Sequence, residues 1–276
     1  MENTTTNQKR RIFFLDSFTL KILAVIFMTI DHIAMFFVPA TTMAFKVLRI
    51  IGRISFPIFA FLIIESFFKT KNRWKFAGRL LIIGVIMDAA TAIFSRGNYI
   101  GNTLTAFGLM VVMLTLLEYK NWYSLGALPI ASLYILQCFD FFPIKIEYGF
   151  FGLLLMLGFY GVHKAIDLYL VKLSKATNTD LESTKVIYER KYKNIFCAVT
   201  LVAVNLIFYL IFRIDNNSPL LLPMFDISQW SILGALFIVF YNGKRGFNNK
   251  YMNDAFYLYY PLHLLLLWGI FSLISQ

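Results

Sequence analysis

Long apolar runs separated by short polar segments dominate the chain. A bilayer core of about 30 Å needs about 20 apolar helical residues, and helices and closed barrels alone satisfy their backbone groups there. Nine runs qualify, at about residues 18–38, 44–68, 75–95, 102–118, 122–139, 148–172, 193–213, 226–242 and 254–274. The eighth is short and follows Pro219 and Pro223, so part of 219–230 is open to a re-entrant interpretation. The pattern predicts an all-α, polytopic membrane helix bundle of about nine (eight to ten) transmembrane helices.

Composition excludes an ordinary soluble domain, which is about half apolar and a quarter charged. Here 59% of residues are hydrophobic, 15% are charged and 30 are Phe, more apolar surface than one soluble core can hide. Residues 1–276 are therefore predicted to form a single integral membrane domain in the lipid bilayer, with the polar stretch 174–192 as a cytoplasmic loop. The chain shows no internal repeat, which disfavours the inverted-repeat transporters.

The distribution of basic residues predicts the orientation. The formal charge of +11 raises the question of nucleic acid, but the Lys and Arg residues form short clusters between apolar runs, as in cytoplasmic loops of bilayer proteins. With the N-terminus inside, 19 of the 26 fall on the cytoplasmic side. We therefore predict no nucleic-acid partner, a cytoplasmic N-terminus and an exterior C-terminus.

Ionisable side chains inside lipid are expensive and are candidates for function, and the first span carries the densest set. Lys21 and His32 are eleven residues apart, which returns the helix to within about 20° of the same face and places His32 about 16 Å deeper. A cation at the inner mouth and a deep imidazole beside Asp31 suit a long anionic ligand from the cytoplasm. The alternatives are an interfacial anchor for Lys21 and helix packing for His32.

The second span places Arg49 and Arg53 one turn apart, and Pro57 removes the backbone bond to the carbonyl of Arg53, so a kink is expected there. An arginine keeps its proton, so Arg53 demands an anionic partner. Asp88 in the third span is the best partner offered. By helix rise Asp31, His32, Arg53 and Asp88 lie at similar depth in the outer half, which predicts either a catalytic cluster or a structural ion pair.

Cations after the second span and an aromatic last span offer two further features. Arg73, Lys75 and Arg79 belong to the segment KTKNRWKFAGR and are able to grip phosphates, although most such loops only mark the cytoplasmic side. In FYLYYPLHLLLLW, Pro261 kinks the span and His263 lies near mid-membrane, where the aromatic residues either wall a cavity or pack as a belt.

Five strings resemble the TraX family, whose namesake is implicated in N-terminal acetylation of conjugative pilin. They are LKILAVIFMTIDHI, LRIIGRISFPIFAFLIIESFF, KTKNRWKFAGRLL, GNTLTAFGLMVV and FYLYYPLHLLLLW. The resemblance covers about the first 115 residues and the last span, and the Asp-His pair and the GR-x-x-FPIFAFL string are its specific parts. The Lys21 to His32 spacing is similar, more distantly, to the Arg/Lys-x10-His signature of transmembrane acyltransferases that acetylate surface polymers.

The resemblance implies an acetyl-CoA-dependent acetyltransferase of the bacterial cytoplasmic membrane. In the wider group the His belongs to the reaction centre and a basic run handles coenzyme A, which here corresponds to Arg73 through Arg79. Two departures stand out: TraX relatives tend to have Glu followed by Ile-Pro where this chain has Asp88-Ala89-Ala90, and the signature cation is Lys21 rather than Arg. The shorter acid puts the role of Asp88 in doubt.

Taken with these residues, the resemblance implies acetyl transfer from cytoplasmic acetyl-CoA to an amine or hydroxyl of an exported peptide or surface glycan. Lys21, Arg73, Lys75 and Arg79 would bind the donor phosphates. His32, oriented by Asp31 or Asp88, would act as base or nucleophile, and Arg53 would steady the carbonyl oxygen. The alternatives are an ion- or proton-coupled transporter and a noncatalytic membrane assembly protein.

Overall fold

A computed structural model describes residues 14–94, 101–138, 146–218, 221, 224–247 and 249–274. Across these residues the regular structure is helical, apart from one parallel bridge between Leu15 and Tyr241. The helices are α1 (Ser17–Phe37), α2 (Met43–Arg53), α3 (Ser55–Lys69), α4 (Arg73–Phe94), α5 (Thr103–Leu117), α6 (Ala127–Leu136), α7 (Gly149–Thr177), α8 (Leu181–Ile214), α9 (Phe225–Ser228), α10 (Gly234–Val239) and α11 (Lys250–Ile274), with 3-10 turns at Trp122–Gly126 and Gln229–Leu233. The all-α prediction is confirmed.

Five of the described helical segments are long and apolar enough to cross a membrane: Ser17–Phe37, Met43–Lys69, Gly149–Thr177, Tyr192–Ile214 and Asp254–Ile274. They identify a multi-pass membrane protein. The shorter apolar segments Thr103–Leu117, Trp122–Leu136 and Phe225–Val239, together with α4, cover the remaining runs. The total of nine spans and the orientation of the chain in the membrane stay predictions. Some of the basic residues counted for the orientation, such as Arg96 and Lys145, lie outside the described residues.

The second span is interrupted, as Pro57 predicts. Helix α2 ends at Arg53 and α3 begins at Ser55, with Ile54 between them donating its N–H to the carbonyl of Ile51 rather than continuing the α-helical ladder. Since Pro57 has no N–H, the carbonyl of Arg53 has no α-helical partner. The break lies next to the two arginines of the candidate site.

Helix α3 lies at the centre of the bundle. Ten of its residues are buried, and it packs against α1, α5, α7 and α10. Outside this core, α4 packs on α5, α7 pairs with α8, and α11 packs against α1 and α4. Helix α1 therefore lies between α3 and α11 and contacts both.

The polar stretch 174–192, predicted as a loop, is largely helical. Helix α7 continues to Thr177 and α8 begins at Leu181, so residues 178–180 alone form the turn. The Asp180 carboxylate caps α8 by accepting from the N–H groups of Glu182 and Ser183 at 3.0 and 3.2 Å. Polar composition marks the solvent-facing ends of long helices as well as loops, which explains the difference.

The weak eighth run also forms helix. Phe225–Ser228, Gln229–Leu233 and Gly234–Val239 follow one another with a 3-10 turn in the middle. The prolines preceding it, at 219 and 223, lie outside the described residues. Gly234 packs so closely on α3 that a side chain there would lie 2.6 Å from Pro57 Cγ.

Candidate functional site

A cavity of about 380 Å³, here called the basic vestibule, lies where α1 and α4 begin and α3 ends. Its charged lining consists of five cations and one carboxylate: Lys21, Lys69, Lys75, Arg79, Arg245 and Glu65. Lys69 bonds Glu65 at 2.5 Å and donates to the Tyr241 hydroxyl at 3.0 Å. On the predicted orientation the vestibule faces the cytoplasm, and its excess of positive charge suits a polyanionic ligand.

A second cavity of about 290 Å³, here called the histidine cavity, adjoins the vestibule and extends along α1. The two share the lining residues Lys21, Ser66, Phe76, Arg79 and Tyr257. Its walls are mainly apolar, and its polar lining includes Asp31, His32, Glu147 and Tyr148. The structure thus places Lys21 and His32 along one cavity, as their eleven-residue spacing predicts.

His32 is held by a second histidine. His32 Nδ1 lies 2.8 Å from Nε2 of His263 on α11, and His263 Nδ1 lies 2.8 Å from the carbonyl oxygen of Tyr259. The carbonyl accepts, so the proton of a neutral His263 sits on Nδ1 and its Nε2 must accept from His32 Nδ1. This assignment from the hydrogen-bond network leaves the lone pair of His32 Nε2 for the cavity.

Asp31 pairs with both arginines of α2. Its Oδ2 accepts from Arg49 Nη1 at 2.5 Å and from Arg53 Nη2 at 2.6 Å, while its Oδ1 is buried without a hydrogen-bond partner among the described residues. Gly52 makes this close approach of α2 to α1 possible. The carboxylate therefore orients the arginines, and the expected orientation of His32 by Asp31 is replaced by the contact with His263.

Asp88 does not join this cluster. Its Oδ1 accepts from the backbone N–H of Asn102 at 2.9 Å and from Asn102 Nδ2 at 2.6 Å, and its Oδ2 accepts from the Thr105 hydroxyl at 2.6 Å. The expectation that Asp88 pairs with Arg53 is therefore corrected. Its short side chain reaches the adjacent start of α5, where it fixes the connection between α4 and α5.

Tyr148 and Glu147 complete the polar lining of the histidine cavity. Tyr148 has a left-handed backbone (φ 60°), its ring stacks on Phe56 with centroids 3.5 Å apart, and its hydroxyl lies 3.5 Å from Arg53 Nη1. Arg53 itself is not part of the described lining, and its contact with the cavity wall is the one to Tyr148. Left-handed backbone at a residue other than glycine is uncommon, and such strain clusters at functional positions.

Glu147 accepts a short hydrogen bond from the Thr103 hydroxyl at the start of α5. Burial raises the pKa of the Glu147 carboxyl, although the bond from Thr103 and the charge of Arg53 act in the opposite direction. Like Asp31, Glu147 is a carboxyl that lines the cavity of His32. Unlike Asp31, it forms no ion pair with a lysine or arginine among the described residues.

The predicted phosphate-binding residues divide into two groups. Lys21, Lys75 and Arg79 line the vestibule, whereas Arg73 stacks on Phe67 at 4.3 Å and pairs with Glu118 at 3.6 Å. Burial favours the neutral acid of Glu118, but hydrogen bonds from Lys164 and Tyr160 and the charges of Lys164 and Arg73 outweigh it and lower its pKa. Arg73 is thus engaged elsewhere, because it lies almost two helical turns before Arg79.

Sequence reasoning missed two vestibule cations and underrated one histidine. Lys69 and Arg245 line the vestibule, but Arg245 lies in an irregular segment that carries no periodic signal. The sequence leaves His263 either in a cavity wall or as the hydrogen-bonded His of a packed aromatic belt. Its bond to His32 depends on the packing of α1 against α11, because the two residues are 231 positions apart. The one signal in the sequence for this contact is that the last span combines many aromatic residues with a histidine.

The family model for TraX protein matches residues 17–178 and 183–271. The chain is 30% identical over 255 residues to a Dichelobacter nodosus protein named "Probable fimbrial assembly protein FimC, serogroup H1", covering 91% of this chain and 93% of that one. It is 32% identical over 155 residues to the uncharacterized protein RP591 of Rickettsia prowazekii (strain Madrid E), covering 55% of this chain and 58% of that one. No solved structure matches the chain significantly.

Proposed function

The chain belongs to the TraX family, and from that premise we propose that it is a membrane-embedded acyltransferase that moves an acetyl group from cytoplasmic acetyl-CoA to an amine or hydroxyl of an exported or cell-surface acceptor. The observation that carries the proposal is one arrangement: a basic vestibule adjoins a mainly apolar cavity lined by His32, which is hydrogen-bonded to His263. A long donor with an anionic head and a reactive thioester tail matches both ends.

The length of the donor arm is close to the helix rise between Lys21 and His32. The pantetheine arm of coenzyme A is about four residue lengths of extended chain, or roughly 14 Å. Lys21 and His32 are separated by about 16 Å of helix rise. Phosphates held by Lys21, Lys75 and Arg79 would therefore place the thioester near His32, and the apolar walls of the histidine cavity would cover the arm.

His32 is the proposed base. Its Nε2 takes the proton of the acceptor amine or hydroxyl as the acceptor atom attacks the thioester carbonyl carbon. The C–S bond then breaks, the thiolate leaves with the electron pair, and it recovers the proton from His32. His263 holds the productive tautomer by accepting from His32 Nδ1. An acetyl-histidine intermediate is the second route open to the same nitrogen.

Tyr148 is the proposed donor to the carbonyl oxygen, which becomes negative as the tetrahedral intermediate forms. Arg53 lies 3.5 Å behind its hydroxyl and strengthens it as a donor, while Asp31 fixes Arg53. Donors held in place before the reaction stabilise such charge without further reorganisation. Arg53 thus stabilises the carbonyl oxygen through Tyr148 rather than directly. Asp88 has a structural role at the start of α5.

The proposed class of acceptor is inferred from the family and its relatives. The resemblance to the TraX family implies pilin N-acetylation, and the Dichelobacter nodosus relative is named for fimbrial assembly. We therefore propose a pilin-like peptide N-terminus as the first acceptor to test and surface-glycan hydroxyls as the second. The name of the relative also favours a noncatalytic role in fimbrial assembly as the alternative function.

Binding and transfer with labelled acetyl-CoA test the proposal. Purified protein in proteoliposomes should bind acetyl-CoA and transfer label to a component of envelope fractions, and protein-free liposomes are the control. Because an assembly factor or a transporter has no need of acetyl-CoA, failure to bind it at millimolar concentration would reject the acyltransferase. Binding without transfer to peptide or glycan acceptors would instead leave a coenzyme A-binding assembly protein.

A further inference from the structure

The segment between α10 and α11 adds a cation and an aromatic ring to the vestibule. Arg245 and Phe247 both line it and both are exposed, Phe247 to 59%. They stand on the side formed by the start of α1, where Lys21 is close enough to Arg245 to interact electrostatically. Neither residue is needed for the transfer chemistry proposed above, so their presence there calls for a separate explanation.

This segment is fixed to the start of α1 by backbone hydrogen bonds. The N–H of Ser17 donates to the carbonyl of Lys244 at 2.9 Å, and that of Phe18 donates to the carbonyl of Arg245 at 3.1 Å. Gly246 has a φ of 71°, and a side chain there would lie 2.3 Å from Asp16 Cγ, so glycine is required. The backbone that carries Arg245 and Phe247 is thus fixed before any ligand arrives.

The vestibule holds more positive charge than one diphosphate needs. Among the described residues, no carboxylate lies within ion-pair distance of Lys21, Lys75, Arg79 or Arg245, whereas Lys69 is paired with Glu65. A diphosphate contributes about two negative charges, and a terminal phosphate monoester about two more at neutral pH. Four unpaired cations therefore match a ligand that carries both groups, and the guanidinium of Arg245 suits the monoester.

Phe247 offers a largely exposed aromatic ring beside that cation. Its ring meets Phe18 in a T-shaped contact with centroids 5.5 Å apart, and 59% of the residue remains exposed. Nucleobases stack on aromatic side chains of this kind, and each stacked base tightens binding. An exposed phenylalanine in a membrane protein can also serve as an interfacial lipid anchor. A lipid anchor faces the bilayer, however, whereas Phe247 lines a basic cavity.

We infer that Arg245 and Phe247 form a subsite for a 3′-phosphorylated adenosine, with Arg245 pairing with the 3′-phosphate and Phe247 stacking on the adenine ring. The inference rests on the proposed function and sharpens it. It predicts that the donor is recognised as free coenzyme A thioester, nucleotide included, rather than through the pantetheine arm alone, as a carrier-protein thioester would be.

Equilibrium binding of acetyl-CoA, acetyl-3′-dephospho-CoA and acetyl-pantetheine to the full-length protein in detergent tests the subsite. Wild type should bind acetyl-CoA at least about 10-fold more tightly than the dephospho form, as expected for one charge-assisted hydrogen bond. Arg245→Gln should weaken acetyl-CoA by about 10-fold and abolish that preference, and Arg245→Lys should recover part of it. The matched control is Lys244→Gln, an exposed cation of the same segment outside the described vestibule lining.

Phe247→Ala should weaken both nucleotide-containing donors by about 10-fold, within the range for one stacked base, and leave acetyl-pantetheine unchanged. Tyr251→Ala is its control, since Tyr251 is 82% exposed and lies outside the described vestibule lining. Variants that match their controls with all three ligands overturn the subsite alone. A loss of membrane content in Phe247→Ala with unchanged donor binding identifies a lipid anchor and also overturns it. Wild type that binds none of the three ligands overturns the proposed function itself.

Discussion

The Gly52→Ala substitution tests the packing that holds the arginines in place. A methyl carbon at Gly52 would lie 2.2 Å from Asp31 Oδ1 and 2.3 Å from Asp31 Cβ. Carbon atoms in contact prefer about 3.5–4.0 Å, so α1 or the carboxylate must move by more than about 1 Å. Asp31 then loses its bonds to Arg49 and Arg53, which are 2.5 and 2.6 Å long.

The expected loss of stability is large. Breaking a buried ion pair costs about 3–5 kcal/mol, and the helix propensity of Ala over Gly returns about 1 kcal/mol, so we expect Gly52→Ala to lower the free energy of unfolding by about 2–4 kcal/mol. Acetyl transfer should fall as well, because Arg53 would no longer be fixed behind Tyr148. Thermal unfolding in detergent is measured by the reaction of a thiol probe with Cys197, which is 0% exposed.

Gly161→Ala provides the matched control, since a methyl carbon at this α7 position would have nothing within 4 Å. It should unfold at the wild-type temperature or slightly above it, because it gains helix propensity without a clash. A Gly52→Ala protein that unfolds at the control temperature and transfers acetyl groups at the wild-type rate would refute the close packing of α2 on Asp31 and the role given to the ion pairs.

Three further predictions concern donor binding, the scaffold and topology. Arg79→Ala should weaken equilibrium binding of acetyl-CoA, and the loss should be larger at low salt. Arg73→Ala should leave the affinity nearly unchanged, because Arg73 pairs with Glu118. Equal losses of affinity in the two variants would contradict this division. Asp88→Ala should lower the free energy of unfolding by about 1–3 kcal/mol, measured by thermal unfolding, and leave acetyl-CoA binding intact; a selective loss of binding would return Asp88 to the site. Single cysteines at Thr70 and Asn217 should label from the cytoplasm and the exterior, respectively, and a reversed pattern would contradict the inward-facing vestibule.

Local pattern was sufficient to predict most of the helices and part of the site. Runs of apolar residues mark helices because lipid leaves the backbone no other partner, and Pro57 marks the break after Arg53 because it removes one N–H. Helix periodicity places Lys21 and His32 on one face, and the structure has both along one cavity. These features depend on residues that are close in the sequence.

The contacts that escaped prediction depend on which helices are neighbours. Helix rise gives the depth of Asp88 but not its direction, and the start of α5 lies nearer to it than Arg53 does. The partner of His32 comes from α11, at the other end of the chain, and no spacing rule connects them. Arg245 enters the vestibule because backbone hydrogen bonds fix its segment to α1, a contact that leaves no periodic signature.

The most direct test of the account is acetyl transfer by the His32→Gln protein, measured beside its acetyl-CoA affinity. Glutamine keeps much of the size and hydrogen-bonding capacity of histidine but cannot take the proton, so we expect normal membrane insertion, wild-type affinity for acetyl-CoA and transfer reduced by at least about 100-fold. His263→Gln retains an amide oxygen that accepts from His32 Nδ1 and should lose only about 10-fold, equivalent to about 1.4 kcal/mol. Near wild-type transfer by His32→Gln would contradict the mechanism, and failure of this variant to insert or fold would show that His32 serves helix packing instead.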